Sequence, residues 1–422
     1  MASYSNKDVF TLSSISVILC ECFYNLVCIF VDTFLIARIL SLTDYNLYHI
    51  GLFYLVQYAV IIFTSIFLNY LLKKIKLNYF VTIGALIIIA LVMCVYFLDG
   101  ATLIAYLPLL AVCYAFGSSF FWTGQNNLAT IAVSSRYQVR FFTVKKTSVI
   151  FIKALVPILL GSSISAMGFQ VVAIIMIAFT ILLFIFSLFV KPNRKFDMNF
   201  KFRPFVKQLF QEKKQLKLLW GTYATAFFYG LSITTLSVLF TYMVYKNMQS
   251  DFGLGLVKTV LTGVSLIGMF IFMKSYRKKQ AKWYCVVPLI AVPIAGIVML
   301  IWTNIYTVLV FFGLYNILTV NLTSLTDMRR AGVIRMLDMH DKVLEHNAVF
   351  EMVLAFARMI GFGLFAIIGL VNTDWLFTVG VALILVLFLG FCITTYNTEN
   401  QLIEQDKEWK KAHMVYNDKP QT

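Results

Sequence analysis

Long apolar stretches alternate with short polar ones along almost the whole chain. Each apolar stretch reaches the roughly 20 residues that a helix needs to cross the hydrocarbon core of a bilayer. A helix satisfies its own backbone hydrogen bonds there, so the pattern predicts an all-α integral membrane protein. We predict twelve transmembrane helices, at about 9–39, 45–72, 78–98, 102–127, 147–168, 170–190, 218–245, 253–273, 283–302, 305–327, 347–370 and 374–396. The fifth and sixth helices meet at Met167-Gly168, where the pattern leaves room only for a very short turn.

One long polar run interrupts this pattern near the middle of the chain. It extends from Lys191 to Lys217 and contains nine Lys or Arg residues against only Asp197 and Glu212. Charge of this density is costly in hydrocarbon, so the run must be a loop. It divides the chain into a six-helix bundle at 1–190, a basic linker at 191–217, a second six-helix bundle at 218–396 and a tail at 397–422.

A short helix is predicted inside this linker. It begins at Pro204, because proline favours the first turn of a helix. Its apolar face consists of Phe205, Val206, Leu209 and Phe210, and the basic residues around it are Lys207, Lys213 and Lys214. This pattern is typical of a helix that lies on an anionic membrane surface. A solvated linker is the alternative interpretation.

The distribution of charge predicts the topology. Most of the 35 Lys and Arg residues fall in the termini, in the linker and in the loops that follow even-numbered helices. The opposite loops contain few basic residues, and Asp44, Asp99, Asp251 and Asp374 lie near them. Because basic residues collect in cytoplasmic loops, we expect a multi-pass protein of the cell membrane with both termini in the cytoplasm. The net charge of +16 therefore reports topology, and we expect no nucleic-acid partner.

Composition narrows the class of function further. With 60% hydrophobic and 13% charged residues and a mean hydropathy of +0.84, the chain leaves no room for a soluble nucleotide-binding domain. It contains no phosphate-binding GxxxxGK[ST] loop, so direct ATP drive is not expected. The seven Cys and four His residues form no metal-binding spacing, and we expect no metal, no cofactor and no enzyme. A membrane-embedded enzyme is the alternative, with Asp338-Met339-His340-Asp341 as its candidate site.

The two halves of the chain carry related positions. Asn127 precedes Arg136 and Asn321 precedes Arg330 by the same offset, and each pair lies at the end of the fourth helix of its half. A repeat of this kind is typical of transporters that are built from two six-helix halves. Twelve helices, two related halves and a long basic central loop resemble the major facilitator superfamily.

Two short motifs add to this resemblance. Asn69–Lys76 keeps the basic residues of the family's loop between its second and third helices, without the first Gly and the Asp of that motif. Val156–Gly161 keeps Pro157 of a motif that exporters of the family carry, with the Gly displaced by one position. The resemblance implies alternating access, in which the two bundles rock around a midplane cavity lined largely by helices 1, 4, 7 and 10.

One narrow face of the first helix holds Ser14, Glu21, Asn25, Cys28 and Asp32. An ionised carboxylate inside a bilayer is costly, so such residues face the bundle interior or a wet cavity and are often functional. Burial also favours the neutral form of a carboxyl group, which suits a site that exchanges protons. We therefore take Glu21 and Asp32 as candidates for proton coupling and Asn25 as a candidate for the substrate cavity. Structural pairing with a neighbouring helix is the alternative for each.

Seven further residues are candidates for the substrate cavity, namely Gln125, Asn126, Asn127, Lys153, Asn321, Glu351 and Arg358. We expect the first four to form a polar cluster for an anionic or hydrogen-bonding substrate. Arg358 cannot lose its proton, so it needs an acidic partner or an anionic ligand, and we favour the acidic partner. Lys153 and Lys258 can instead extend towards a membrane surface, and the sequence leaves open whether Lys258 meets Asp32.

Taken together, these features predict a secondary active transporter that moves a small organic solute and is coupled to protons. Pro157 favours efflux. The expected partners are the solute, the lipid bilayer and protons, and we expect a monomer. A lipid or glycolipid flippase and a transporter-like sensor without flux are the alternatives.

Overall fold

A computed structural model of the chain describes residues 11–72, 74–131, 138–191, 200–213, 216–275, 282–337, 339 and 342–417. Over these residues all regular structure is helical, and twelve helices are long and apolar enough to cross a membrane. They are α1 (Leu12–Leu42), α2 (Leu47–Leu71), α3 (Leu77–Phe97), α4 (Leu107–Ile131), α5 (Gln138–Met167), α6 (Phe169–Leu188), α7 (Lys217–Met248), α8 (Asp251–Ser275), α9 (Trp283–Ile301), α10 (Ile305–Met336), α11 (Val343–Val371) and α12 (Asp374–Asn417). Short helices at Gly100–Ala105 and Phe202–Gln211 lie between them. The predicted fold class is confirmed.

The observed helix ends differ from the predicted ones where a helix continues into the polar region beside the membrane. α5 begins at Gln138 rather than near residue 147, and α12 continues to Asn417. Gly168 is the single residue between α5 and α6. Its φ of 86° and ψ of 159° belong to a region of backbone space that only glycine occupies readily. The very short turn predicted at this position is confirmed.

Helices α1–α6 pack into one bundle and α7–α12 into a second, and the two bundles meet along two helix pairs. One pair is α2 with α11, and the other is α5 with α8. The ends of α1 and α7 also touch, and the rings of Tyr45 and Tyr245 lie 6.2 Å apart there. These contacts bring α1, α2 and α5 of the first bundle against α7, α11 and α8 of the second.

The two ends of the molecule differ. We call the end where α6 stops at Leu188 and α7 begins at Lys217 the linker end, and the opposite end the far end. At the far end α5 and α8 approach so closely that a Cβ atom on Gly255 would lie 2.3 Å from the carbonyl oxygen of Pro157. Towards the linker end an open cavity of about 470 Å³, lined in part by exposed side chains, lies between the same two helices. We call this cavity the α5–α8 gap; its lining residues are Thr147, Ile150, Leu266, Ile267, Met269 and Phe270.

The linker contains the helix that its sequence predicts, over Phe202–Gln211. Phe205 and Leu209 on its apolar face are buried in a cluster with Leu216 of the linker and with Val333 and Met339 of the second half of the chain. The interpretation of this face as a membrane-surface contact is therefore wrong for Phe205 and Leu209. Their apolar side chains are removed from water by packing on the protein instead.

Candidate functional site

The first helix of each bundle contains a turn of π-helix near its middle. In α1 this turn covers Phe30–Leu35 and includes Asp32, and in α7 it covers Gly230–Thr234. A π-turn carries one extra residue per turn, which re-aims the side chains beside it, and such turns are frequent at functional sites. Each bundle therefore has a π-turn within its first helix.

Asp32 is held by tyrosines from two other helices of its own bundle. The hydroxyl of Tyr54 in α2 donates to Asp32 Oδ1 at 3.2 Å, and that of Tyr114 in α4 donates to Oδ2 at 3.3 Å. Lys258 of α8 donates through Nζ to the hydroxyl of Thr33, the next residue along the chain, and interacts electrostatically with Asp32. Lys258 therefore contacts the residue next to Asp32 from the other bundle, and no salt bridge joins Lys258 to Asp32 among the described residues.

Arg358 approaches the same region from α11. Its Nε donates to the hydroxyl of Thr234, at the end of the α7 π-turn, at 3.0 Å, and its guanidinium group lies over the ring of Tyr58 at 5.2 Å. The rings of Tyr54 and Tyr58 in turn stack on Phe362, at 4.4 Å and 5.7 Å between centroids. A continuous aromatic stack therefore connects the hydroxyl group that contacts Asp32 to the ring beneath Arg358.

Lys153 completes this group of charges. It lies on α5, its side chain is exposed, and it interacts electrostatically with both Asp32 and Lys258. We call Asp32, Lys153, Lys258 and Arg358 the Asp32 cluster. It contains three cations and one carboxylate. The acidic partner favoured for Arg358 is not found among the described residues, where the salt bridges are Lys145–Glu21 and Arg330–Glu351.

Glu21 lies in a second and separate group. Its Oε2 is 2.6 Å from Lys145 Nζ, and Gln125 of α4 donates to the same oxygen at 3.2 Å and to the carbonyl oxygen of Val17 at 2.7 Å. Asn25 donates to the backbone of its own helix, at Glu21. Eleven residues separate Glu21 from Asp32, which is roughly 16 Å along a helix. The two proton-coupling candidates therefore occupy different levels of α1.

The polar cluster expected from α4 and α5 is divided between these two groups. Gln125 joins Glu21, whereas Lys153 joins the Asp32 cluster. Asn126 is exposed, and Asn127 donates to the carbonyl oxygen of Thr123 in its own helix at 2.8 Å.

The remaining candidates lie in the second bundle. Asn321 is buried, and its amide donates to Ile317 O in its own helix at 3.5 Å. Glu351 pairs with Arg330, whose guanidinium Nη1 lies 2.9 Å from Glu351 Oε1. Arg330 also donates to Asn347 Oδ1 at 3.1 Å. Of the enzyme alternative's residues, Asp338, His340 and Asp341 lie outside the described part of the chain.

Sequence reasoning missed four residues that shape this site, namely Tyr54, Tyr58, Tyr114 and Thr234. Tyrosine in a transmembrane helix is most frequent at the membrane surfaces, where its hydroxyl group reaches water. Tyr54 and Tyr58 instead lie one turn apart inside α2. Their depth in the predicted helix is the signal that identifies them as interior residues.

The chain has the fold of major facilitator superfamily transporters. A bacterial homologue of the iron transporter ferroportin, in an inward-facing state, is 14% identical with a TM-score of 0.67, and the match covers 94% of this chain and 100% of that one. The nucleoside transporter NupG is 14% identical with a TM-score of 0.64, with coverage of 94% and 100%. A bacterial homologue of the human lysosomal transporter Spinster, inward-facing and unoccupied, is 13% identical with a TM-score of 0.60, with coverage of 95% and 99%. No family model and no curated protein matches the chain.

Proposed function

We propose that the chain is a secondary active transporter that moves a small organic solute across the cell membrane by alternating access. The observation that carries the proposal is the position of the Asp32 cluster. Both bundles contribute its charges, and it lies between a closed far end and the α5–α8 gap. Rocking of the bundles would expose such a cluster to the two sides in turn. The proteins with this fold named above are transporters, which supports the proposal.

We place the linker end in the cytoplasm, so the described state faces inward. The support is the excess of Lys and Arg in the termini, the linker and the loops at that end. A phosphatase that is active only outside the cytoplasm tests this placement. Fused after Asp99, at the far end, it should be active, and fused after Asn417 it should be inactive. The opposite result contradicts the placement.

Proton coupling is assigned first to Asp32. Its carboxylate is only partly buried and lies among groups from both bundles, so its surroundings change when the bundles rock. Glu21 remains the second candidate. Its buried partner Lys145 lies on α5 of the same bundle, and rocking of whole bundles leaves such a pair intact. Export is the proposed direction, and it rests on the resemblance at Pro157 alone.

The test is solute-dependent proton movement in proteoliposomes with an internal pH dye. A panel of sugars, amino acids, peptides, nucleosides, organic acids and amphiphilic drugs is added under an imposed pH gradient. We expect at least one solute to move protons with the wild type and none with Asp32→Asn. Asp374→Asn, an exposed acid at the start of α12, is the matched control and should behave as the wild type. Uptake without proton movement contradicts coupling, and binding without uptake identifies a sensor.

A further inference from the structure

Three features follow one another along α5 and α8 from the far end to the linker end. The first is the contact of Gly255 with Pro157, beside which the backbone N–H of Ile158 donates to Thr259 at 3.2 Å. Next come Lys153 and Lys258, which lie close enough to interact electrostatically. The α5–α8 gap follows last. A charged level is thus bounded by a closed contact on one side and an apolar opening on the other.

The spacing of residues along the two helices brings the charged level close to the gap. Ile150 in the gap precedes Lys153 by three residues, and side chains at that spacing are neighbours on a helix surface. Leu266 in the gap follows Lys258 by eight residues, which is roughly 12 Å along α8. A molecule of modest length can therefore reach from the two lysines into the gap.

The charge of the cluster selects the sign of its ligand. Lys153, Lys258 and Arg358 supply three positive charges and Asp32 one negative charge, so the cluster has an excess of two positive charges (3 − 1 = 2). Glu351 also acts electrostatically on Arg358, but its carboxylate is paired with Arg330. No described carboxylate lies within salt-bridge distance of these three cations. Lys153 is exposed and the other three residues are half-buried, and excess charge of one sign at this depth of a membrane protein is costly. An anion that binds here offsets that cost, whereas a cation increases it.

The geometry of the charges also favours a particular kind of anion. A guanidinium group presents its donors as a planar fork that matches a carboxylate or phosphate. Arg358 is held by Thr234 through Nε and by the ring of Tyr58, so its orientation is fixed. The side chains around the gap are mostly apolar, with Ile150, Leu266 and Phe270 among them, and they suit a hydrophobic body.

We infer that the Asp32 cluster and the α5–α8 gap together bind an amphiphilic organic anion. Its acidic group contacts Lys153, Lys258 and Arg358, and its apolar body extends into the gap. This inference rests on the proposed transport function, because it names the class of solute that the same site carries.

The first experiment is a binding measurement on the full chain in nanodiscs of neutral lipid. The probes are phenylbutyrate, phenylbutylamine, phenylbutanol and acetate. The first three share a phenylbutyl group and are an anion, a cation and a neutral molecule, and acetate is an anion without that apolar group. A ligand of the folded state raises the unfolding temperature. We expect only phenylbutyrate to raise it. An equal effect of the amine or the alcohol, or no effect of phenylbutyrate at millimolar concentration, overturns the inference.

A series of carboxylates tests the role of the gap. Phenylacetate, phenylpropionate and phenylbutyrate differ by one methylene at each step, and each methylene that enters an apolar site strengthens binding about fourfold. We expect the dissociation constant to fall by that factor at each step. Equal affinity for all three carboxylates contradicts placement of the body in the gap.

Variants of the cations test the charged level. Arg358→Gln and Lys258→Gln should weaken phenylbutyrate binding about tenfold or more, because each removes a charge-assisted contact. Lys258→Arg keeps the charge and should retain most of the affinity. Lys246→Gln is the matched control, since Lys246 is exposed near the far end of α7, where it donates to Tyr242. The unfolding temperature without probe shows that each variant is folded. Unchanged binding in both glutamine variants overturns the inference.

Two further experiments distinguish a free solute from a bound lipid, and binding from transport. In nanodiscs with phosphatidylglycerol, the effect of phenylbutyrate should persist, and its loss would assign the site to an anionic lipid head group and contradict a solute. Uptake of labelled phenylbutyrate into proteoliposomes should follow binding. Binding without uptake refutes the transport function and leaves the anion site intact. If phenylbutylamine is taken up and Arg358→Gln does not change that uptake, the solute is not restricted to anions, whereas the transport function stands.

Discussion

Lys145 Nζ lies 2.6 Å from Glu21 Oε2 in the interface between α1 and α5, and the two side chains are only 9% and 11% exposed. Removing one partner of a buried ion pair is costly, because the other charge then lacks its compensation away from water. Replacing both partners with apolar groups often costs little. This pair therefore allows a structural role of Glu21 to be separated from a role in proton coupling.

The first prediction concerns this pair. Glu21→Gln should lower the free energy of unfolding by about 3–5 kcal/mol, because the ammonium group of Lys145 loses its carboxylate. The double variant Glu21→Gln with Lys145→Met should recover most of that loss. Unfolding followed by tryptophan fluorescence in detergent measures both, and a double-mutant cycle gives the coupling energy. Additive effects contradict the pairing, and a stable Glu21→Gln variant without proton-driven flux would return Glu21 to the coupling role.

The same pair shows where reasoning from sequence stops. The sequence identified Glu21 as an interior acid but counted Lys145 among the basic loop residues, because the fifth helix was predicted to begin near residue 147. The observed helix begins at Gln138, so Lys145 lies within α5 and is buried. Helix boundaries are set by capping and by tertiary contacts as well as by hydrophobicity. The twelve helices themselves were predictable, because bilayer thickness fixes their length.

The Asp32 cluster was predictable only in part. Hydropathy and charge singled out Asp32, Lys153 and Arg358 one by one, since each is costly in a membrane. Their convergence depends on how the two bundles pack and on the π-turns at Phe30–Leu35 and Gly230–Thr234. The pattern of residues does not predict these π-turns. Neither the tertiary packing nor the π-turns follow from the spacing of residues in one helix.

The second prediction concerns closure of the far end. A Cβ atom on Gly255 would lie 2.3 Å from the backbone oxygen of Pro157, so Gly255→Ala must push α8 away from α5. Overpacking of this kind costs about 1–3 kcal/mol, which is enough to change the populations of two states about tenfold. We expect a longer distance between spin labels on Met167 and Met248, at the far ends of α5 and α7, in a background without the native cysteines.

The control for this prediction lies in the same helix. A Cβ atom on Gly263 meets nothing within 4 Å, so Gly263→Ala carries the same gain in helix propensity without the clash. It should leave the distance distribution unchanged. If both variants give the wild-type distance distribution, the close contact of α5 with α8 does not hold the far end shut.

The third prediction concerns the turn between α5 and α6. Gly168 has a φ of 86° and a ψ of 159°, a conformation that costs other residues about 1–3 kcal/mol. Gly168→Ala should therefore lower the free energy of unfolding by that amount, although nothing lies within 4 Å of the added Cβ atom. Equilibrium unfolding in detergent measures the loss, with Gly263→Ala as the reference. Stability equal to that of the reference would show that the turn relaxes at no cost.

The last prediction tests how the linker helix packs. Leu209 is 3% exposed among apolar residues of the second half, whereas its neighbour Phe210 is 65% exposed. Leu209→Ala should cost about 2–5 kcal/mol, because it leaves a cavity. Phe210→Ala should cost at most about 1.5 kcal/mol, because it removes only an edge contact with the ring of Trp220. A helix that lies on the membrane gives the opposite order, with a loss at Phe210 that grows with the content of anionic lipid. Unfolding in nanodiscs with and without phosphatidylglycerol distinguishes the two arrangements, and a larger effect at Phe210 would contradict packing of this helix on the protein.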